Sequence, residues 1–383
     1  MLDLERRSVV NVRRISDDKE FLELRPRWRE LEERSGPLNP FLTFEWLSSW
    51  WLAFGEGRQL CVLVLERDGA FEALAPLMLL RRRGFTTLQF IGRPFSDYSD
   101  FLIAGDREEC IAEILSFCDR EVAWDRIELD GVLESAANRP VFESLWKQIP
   151  GIARVKSDLV APYVAIREPW QRYQAGLRTK LFSDGRRQLR RLEAHGEVAF
   201  ERCNDLDTAL RTMGELETQK SSRYQGTGAR NIFGGGRLRT FFEDGMRALW
   251  DRGVVDVSRV VQNGTTLALH FGFKTDQRFF YYMPSFDDRY RSFSVGRLLN
   301  AHLIERAFED GLSEFDFLPG DDAYKYDWTS QRRQVSSFVS YRRSLKGMVL
   351  FAGQELAMGT LRGSSKARGL VRRLRRLTAG LRR

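Results

Sequence analysis

Apolar and polar positions follow two rhythms along this chain, a strand period and a helix period, and the same succession of the two occurs twice. Leu60–Glu66 and Phe71–Leu80 are β-prone runs joined by Arg67-Asp68-Gly69-Ala70. Val254–Val261 and Thr265–Lys274 are joined by Asn263-Gly264. Asp-Gly and Asn-Gly supply the left-handed residues that a tight hairpin needs. After the first hairpin come strands at Thr87–Ile91 and Asp100–Ile103, a helix at Glu108–Asp119 and a strand at Arg126–Leu129. After the second come a strand at Phe279–Tyr282, stopped by Pro284, a helix at Gly296–Asp310 and a strand at Glu314–Leu318. Helices precede each set: Asp17–Glu33, broken by Pro26, and Phe44–Phe54 in the first half; Lys180–Ala194, Leu206–Ser222 and Gly236–Arg252 in the second. The repeat predicts an α/β (α+β) chain of two tandem modules, each a mixed, mostly antiparallel sheet flanked by helices. The expected modules are 1–165 and 166–345, divided where Pro162 and Pro169 interrupt the pattern, with a basic tail at 346–383.

Charge alters that picture at one place. The chain of 383 residues has a net charge of +8, yet Arg362–Arg383 holds nine basic residues and no acid, so the rest is close to neutral. Within the tail, Leu370, Leu374, Leu377 and Leu381 recur at helical spacing among the arginines. That pattern predicts either peripheral contact with an anionic membrane or a solvated or partner-docked terminal helix. Nucleic acid is the weaker expectation, because the tail has no aromatic interleaving and no recognised binding motif.

The start of the chain, MLDLERRSVVNVRR, has acids and no apolar segment of its own, and no run is apolar enough to span a membrane. Four cysteines without CxxC spacing and three scattered histidines predict a reduced, cytoplasmic protein with no metal site.

Candidate chemistry gathers between Arg278 and Trp328. Ser294-Val295-Gly296 opens a helix after a strand, and free N–H groups at the positive end of a helix dipole suit phosphate or pyrophosphate. Around it lie His270 in LALHFGF, Tyr281 and Tyr282 on opposite strand faces, Asp287-Asp288-Arg289 in a turn, and Arg291. Asp316 sits in an apolar strand, with Lys325 as its natural ion partner or as a contact for an anionic ligand. The corresponding helix of the first half opens with Gly105-Asp106-Arg107-Glu108-Glu109, whose acids would repel phosphate. The second module is therefore the expected active one. No GxSxG, Walker A or Ser-His-Asp ordering suggests a covalent nucleophile or an NTPase.

The run YYMPSFDDRYRSFSVGRLLNAHLIERAFEDGLSEFDFLPGDDAYKYDW resembles the C-terminal signature of CelD-type acetyltransferases. These are GNAT-superfamily N-acetyltransferases related to the FemAB aminoacyl transferases. The shared elements are a tyrosine-rich strand, FDxxY, SxG opening a helix, and FDFxxGxxxYK; the similarity extends over most of residues 20–340. One departure is Val295, where relatives often have Pro before the helix-opening Gly.

The resemblance implies two GNAT-like modules and direct acyl transfer from acetyl-CoA or another acyl-CoA to an amine or hydroxyl of a saccharide acceptor, in exopolysaccharide production. It implies pyrophosphate binding by Arg291, Ser294, Val295, Gly296, Arg297 and Leu298, with the acyl group near His270–Phe273 and Phe315–Leu318. His270 or Asp287 is then the candidate base and Tyr282 the candidate acid, with Asp316 and Lys325 completing the site. The alternatives are aminoacyl transfer from charged tRNA, as in FemAB-like enzymes, and a non-catalytic scaffold at the membrane.

Overall fold

The computed structural model describes residues 10–224 and 235–363. It divides into two compact units, the first built from residues up to Asp158 and from Gln334 onward, the second from Leu159–Arg333.

The first unit contains β1 (Val10–Ile15), α1 (Asp18–Glu23), α2 (Arg25–Arg34), α3 (Phe44–Phe54), β2 (Arg58–Leu60), β3 (Val62–Arg67), β4 (Ala70–Ala75), β5 (Leu77–Arg82), β6 (Phe85–Phe90), β7 (Leu102–Ile103), α4 (Arg107–Glu121), β8 (Arg126–Leu133), α5 (Arg139–Trp146) and the start of β9 (Ile152–Ala165). Asp68 and Gly69 both take positive φ, as the hairpin turn requires. The strand expected over Phe71–Leu80 is two strands. Pro76 has no N–H to continue a ladder, so β4 ends at Ala75 and β5 enters another sheet. One sheet runs β1-β3-β4-β7, and the other places β6 and β8 side by side in parallel, Thr87↔Arg126 to Gln89↔Glu128. Leu63, Phe90, Ile111, Ile114, Phe142 and Trp146 are completely or almost completely buried in its core. Each such side chain contributes about 1.5–3 kcal/mol.

The second unit begins within β9 and continues through α6 (Trp170–Gly176), α7 (Thr179–Glu193), β10 (Val198–Arg202), α8 (Leu206–Tyr224), α9 (Gly236–Trp250), β11 (Val255–Gln262), β12 (Thr265–Lys274), β13 (Arg278–Phe286), α10 (Val295–Glu309) and β14 (Glu314–Asp316). Its strand order is β10-β11-β12-β13-β14-β9. Every neighbouring pair is antiparallel except β13–β14, so the sheet is mixed and mostly antiparallel, as the pattern of the sequence predicts. The Asn263-Gly264 turn has both residues at positive φ. Leu267, Phe279, Leu299, Leu303, Ile304 and Phe315 form its core under α10.

Two strands depart from the pattern expected of the sequence. β9 runs straight through Pro162, whose carbonyl accepts the Phe317 N–H at 3.0 Å, so the chain changes unit inside a strand and not at a proline-rich linker. β15 (Arg332–Tyr341) carries the chain back and pairs antiparallel with β8, so residues from Gln334 join the first unit. α11 (Leu345–Gly363) follows where the tail was expected to begin. The leucine stripe at 370–381 lies outside the described residues.

Candidate active site

β13 and β14 are the parallel pair of the second unit, and they stay together for three residues only: Arg278↔Glu314, Phe279↔Phe315 and Phe280↔Asp316. β14 stops at Asp316 while β13 continues to Phe286, so the strands part at their C-terminal ends. A crevice at the carboxyl end of parallel strands is where open α/β sheets bind ligands. α10 connects the two strands, and its N-terminus follows directly from β13 through the turn Asp288–Phe293.

That helix opens in an unusual way. Ser294 is its N-cap in a left-handed conformation (φ 53°, ψ 37°), and its side chain makes no capping hydrogen bond. No acid lies in the first turn, and Arg291 and Arg297 flank it on the exposed side. The positive end of the dipole is therefore left uncapped by side chains and reinforced by cations. Gly296 has a packing reason: a Cβ there would lie 3.3 Å from the Phe286 ring, so glycine lets the helix start close against β13. Val295 and Leu298 point inward and are buried. The binding residues expected from sequence are thus gathered in one turn, with two roles: 295, 296 and 298 seat the helix, while Arg291 and Arg297 face water.

Basic character continues next door. Arg178 and Arg297 both bind Asp327, Arg191 lies over the Phe293 ring at 5.0 Å, and α7 exposes Lys180, Arg186, Arg187 and Arg190.

The proposed acid–base residues fare differently. His270 is completely buried, and its Nε2 accepts the Tyr282 N–H at 3.2 Å. The register explains this contact. Gly272 on β12 lies opposite both Tyr281 and Tyr282, a bulge that takes the Tyr282 N–H out of the ladder. Gly272 makes room, since a Cβ there would lie 2.4 Å from His270 Cε1. The ring stacks on Tyr281 at 4.8 Å, and its Nδ1 lies 4.0 Å from the buried Asp256 carboxylate, which Arg306 of α10 holds at 2.6 Å. Burial pushes the imidazole down to about 3, with the Arg306 charge helping and the Asp256 carboxylate opposing. His270 is a neutral structural group with its basic nitrogen occupied, which argues against it as the base.

Asp287 caps the turn, accepting the Arg289 N–H at 2.9 Å, and the Arg289 guanidinium grips its carboxylate. Those hydrogen bonds hold it below the usual carboxylate range, a poor setting for proton abstraction. Tyr282 packs among Phe242, Phe271 and Phe273, on the opposite strand face from His270. Tyr281 is the tyrosine at the parting strands, with its ring against Phe315 and Phe317. Burial raises its phenol well above the ordinary value. Tyr324 meets Phe317 at 6.5 Å, and burial first, with the neighbouring Tyr281 second, raises its phenol. Strand alternation puts Tyr281 and Tyr282 on opposite faces, and the packing of Tyr281 on Phe315 and Phe317 puts it on the side of β14. No motif in the AYKY stretch marks Tyr324.

The expected Asp316–Lys325 ion pair is replaced by a different arrangement. Asp316 pairs with Arg333, which also grips both oxygens of Glu314, at 2.7 and 2.5 Å. Arg333 is eight residues beyond Lys325 in sequence, but β15 begins beside β9 and brings it in. Its guanidinium lies 4.5 Å over the Tyr163 ring. Lys325, 3% exposed, instead donates to the Leu318 carbonyl at 2.9 Å, while Asp316 accepts the Leu318 N–H at 2.8 Å. The two residues bind the N–H and the carbonyl of Leu318, which lies just beyond β14 at φ 59°, a costly conformation for leucine. Among the described residues no group of His, Cys, Asp and Glu could hold a metal ion.

Residues 180–326, which contain β13, α10 and β14, match a family model described as an acetyltransferase (GNAT) domain. Among solved structures, FemX superposes with a TM-score of 0.59 at 13% identity, over 86% of this chain and 97% of FemX. The C-terminal domain of a putative lysylphosphatidylglycerol synthetase from Agrobacterium fabrum gives 0.54 at 11%, over 89% and 97%. L-PGS from Bacillus licheniformis gives 0.52 at 11%, over 86% and 96%. A search of curated protein sequences found no significant match. Residues 180–326 thus match a GNAT acetyltransferase domain, and the fold of the chain is similar to that of FemX.

Proposed function

We propose that the second unit transfers an acyl group, acetyl in the simplest case, directly from acyl-CoA to an amine or hydroxyl of a sugar or polysaccharide precursor. The observation that carries this reading is the parting of β13 from β14 at the uncapped start of α10, within the GNAT-matched segment. The pyrophosphate of the donor rests on first-turn N–H groups, with Arg291 and Arg297 beside it, and the thioester reaches toward the parting strands. The acceptor atom attacks the thioester carbon and the C–S bond breaks; the departing thiolate takes a proton from the Tyr281 phenol, which burial keeps protonated, and the proton that the acceptor atom sheds passes through water to restore that phenol. Acceptor class rests on the CelD-type resemblance of the 278–328 segment. Four free, buried cysteines support a reducing, cytoplasmic setting.

One observation favours a second reading. α7 lays a row of exposed arginines near the α10 start, a broader basic surface than CoA alone needs, and it would suit the acceptor end of a charged tRNA.

A thermal-shift screen of acetyl-CoA, longer acyl-CoAs and charged tRNA separates these readings. A donor present at about 100 times its Kd should stabilise the protein by about 2.7 kcal/mol. Tyr281→Phe should keep that shift and lower kcat by roughly 100-fold or more. Stabilisation by charged tRNA and by no acyl-CoA would establish aminoacyl transfer, and stabilisation by neither would leave a scaffold.

A further inference from the structure

We infer that the outer face of α11, together with the neighbouring β5–β6 hairpin, is a docking surface for an anionic lipid membrane. Leu345, Met348 and Val349 fall at i, i+3 and i+4 on α11 and are 82%, 57% and 53% exposed. A helix of the first unit thus turns an apolar stripe to water. Basic residues rim the stripe. Lys346 donates to the Gly84 carbonyl at 3.1 Å, which ties α11 to the tip of the hairpin. That tip is Arg81-Arg82-Arg83-Gly84, with all three arginines exposed, and exposed Arg343 precedes the helix. Asp125, the acid bound to this hairpin, is engaged with the Thr86 N–H at 2.8 Å. From Arg342 to Gln354 the sequence contains no acid.

Charge selects the occupant. The tail at 364–383 has leucines that would match an apolar stripe, but its arginines would meet a rim of the same sign. An anionic bilayer satisfies both parts of the surface: acyl chains take the leucine, methionine and valine, and headgroup phosphates take the arginines. The tail repeats that chemistry in a second segment, and stable peripheral anchoring generally needs two signals. This inference is independent of the acyl-transfer reading.

The test uses the full chain. Because all four native cysteines are buried, Met348→Cys can be labelled selectively with a polarity-sensitive dye. Vesicles of phosphatidylcholine with one third phosphatidylglycerol should shift the dye emission to the blue, and pure phosphatidylcholine should not. Leu345→Glu with Val349→Glu should remove the salt-resistant part of vesicle co-sedimentation. Arg82→Glu with Arg83→Glu should weaken binding at low salt by roughly 25-fold or more, at roughly fivefold per basic residue near the surface. An unmoved dye on vesicles that bind the protein would overturn the inference and assign binding to the tail alone. Absence of any vesicle binding, or equal binding to neutral and anionic vesicles, would overturn it as well.

Discussion

Each unit contains a parallel pair of strands joined through a helix, β6 to β8 by way of α4 and β13 to β14 by way of α10, yet the two helices begin with opposite electrostatics. α4 is closed by its own side chains: Asp106 accepts the Glu109 N–H at 2.8 Å, and Glu108 and Glu109 fill the first turn with negative charge. α10 starts from an uncapped left-handed Ser294, with no acid in its first turn and arginines on either side. The same topology has been finished twice, once with the helix dipole satisfied by acidic side chains and once with it left uncapped beside arginines. Topology alone does not tell the two helix starts apart; their first residues do.

The carboxylates on the second strand of each pair differ in the same way, and this gives the largest expected effect. On β8, Asp130 pairs with Arg93 at 2.5 Å, and both side chains are about one-fifth exposed. On β14, Asp316 and Glu314 are held by Arg333, with Asp316 completely buried. Removing one partner of a buried pair strands the remaining charge, so Arg333→Met should cost about 3–5 kcal/mol. Arg93→Met, with water at hand, should cost about 1–2 kcal/mol. Urea unfolding of both variants makes the comparison, and similar losses would show that burial does not distinguish the two sites.

The helix starts come next. Ser294→Asp with Arg297→Glu gives α10 the character of α4, and aspartate tolerates the left-handed position better than most residues. The fold should survive, while the acyl-CoA stabilisation of about 2.7 kcal/mol disappears. Asp106→Ser in α4 should cost about 1 kcal/mol of stability as a lost cap and leave donor binding unchanged. A thermal-shift titration of the two variants reads both effects. Undiminished donor binding in the α10 variant would remove the anion from that helix start.

Much of this contrast is legible in the sequence. Asp-Gly and Asn-Gly mark the hairpins, the spacing from Leu298 to Phe308 marks α10, and the acids after Gly105 already set its counterpart apart. What could not be read is what depends on register. The bulge that places His270 under the Tyr282 N–H arises because Gly272 faces two residues of β13, and no local pattern announces it. Pairing of Asp316 with Arg333 depends on β9 and β15, strands whose proline and charged positions hide their extended character. Proximity in sequence pointed instead to Lys325, which is close but serves the Leu318 carbonyl.

The smallest effect is a pH dependence in which the two units oppose one another. Burial of the Asp100 carboxyl in the first unit pushes it up to about 6, although Asn138 and the Phe101 N–H bind it. His270 in the second is pushed down to about 3. Between pH 6 and pH 4 the folded chain holds a proton on Asp100 that the unfolded chain, with an ordinary carboxyl, releases, so this group adds stability as pH falls. Over the same interval the unfolded chain protonates His270 and the folded chain does not, so this group removes stability as pH falls. Each slope approaches about 1.4 kcal/mol per pH unit where the group's two states differ by a full proton. The two largely cancel in the natural chain, and substitution should uncover them. Asp100→Asn should make stability fall more steeply on acidification from pH 6 to pH 4. His270→Gln, whose side-chain oxygen can still accept the Tyr282 N–H, should make it fall less steeply. Denaturant midpoints at half-unit pH intervals measure both. Two variants that run parallel to the natural chain would show that neither group changes protonation on unfolding.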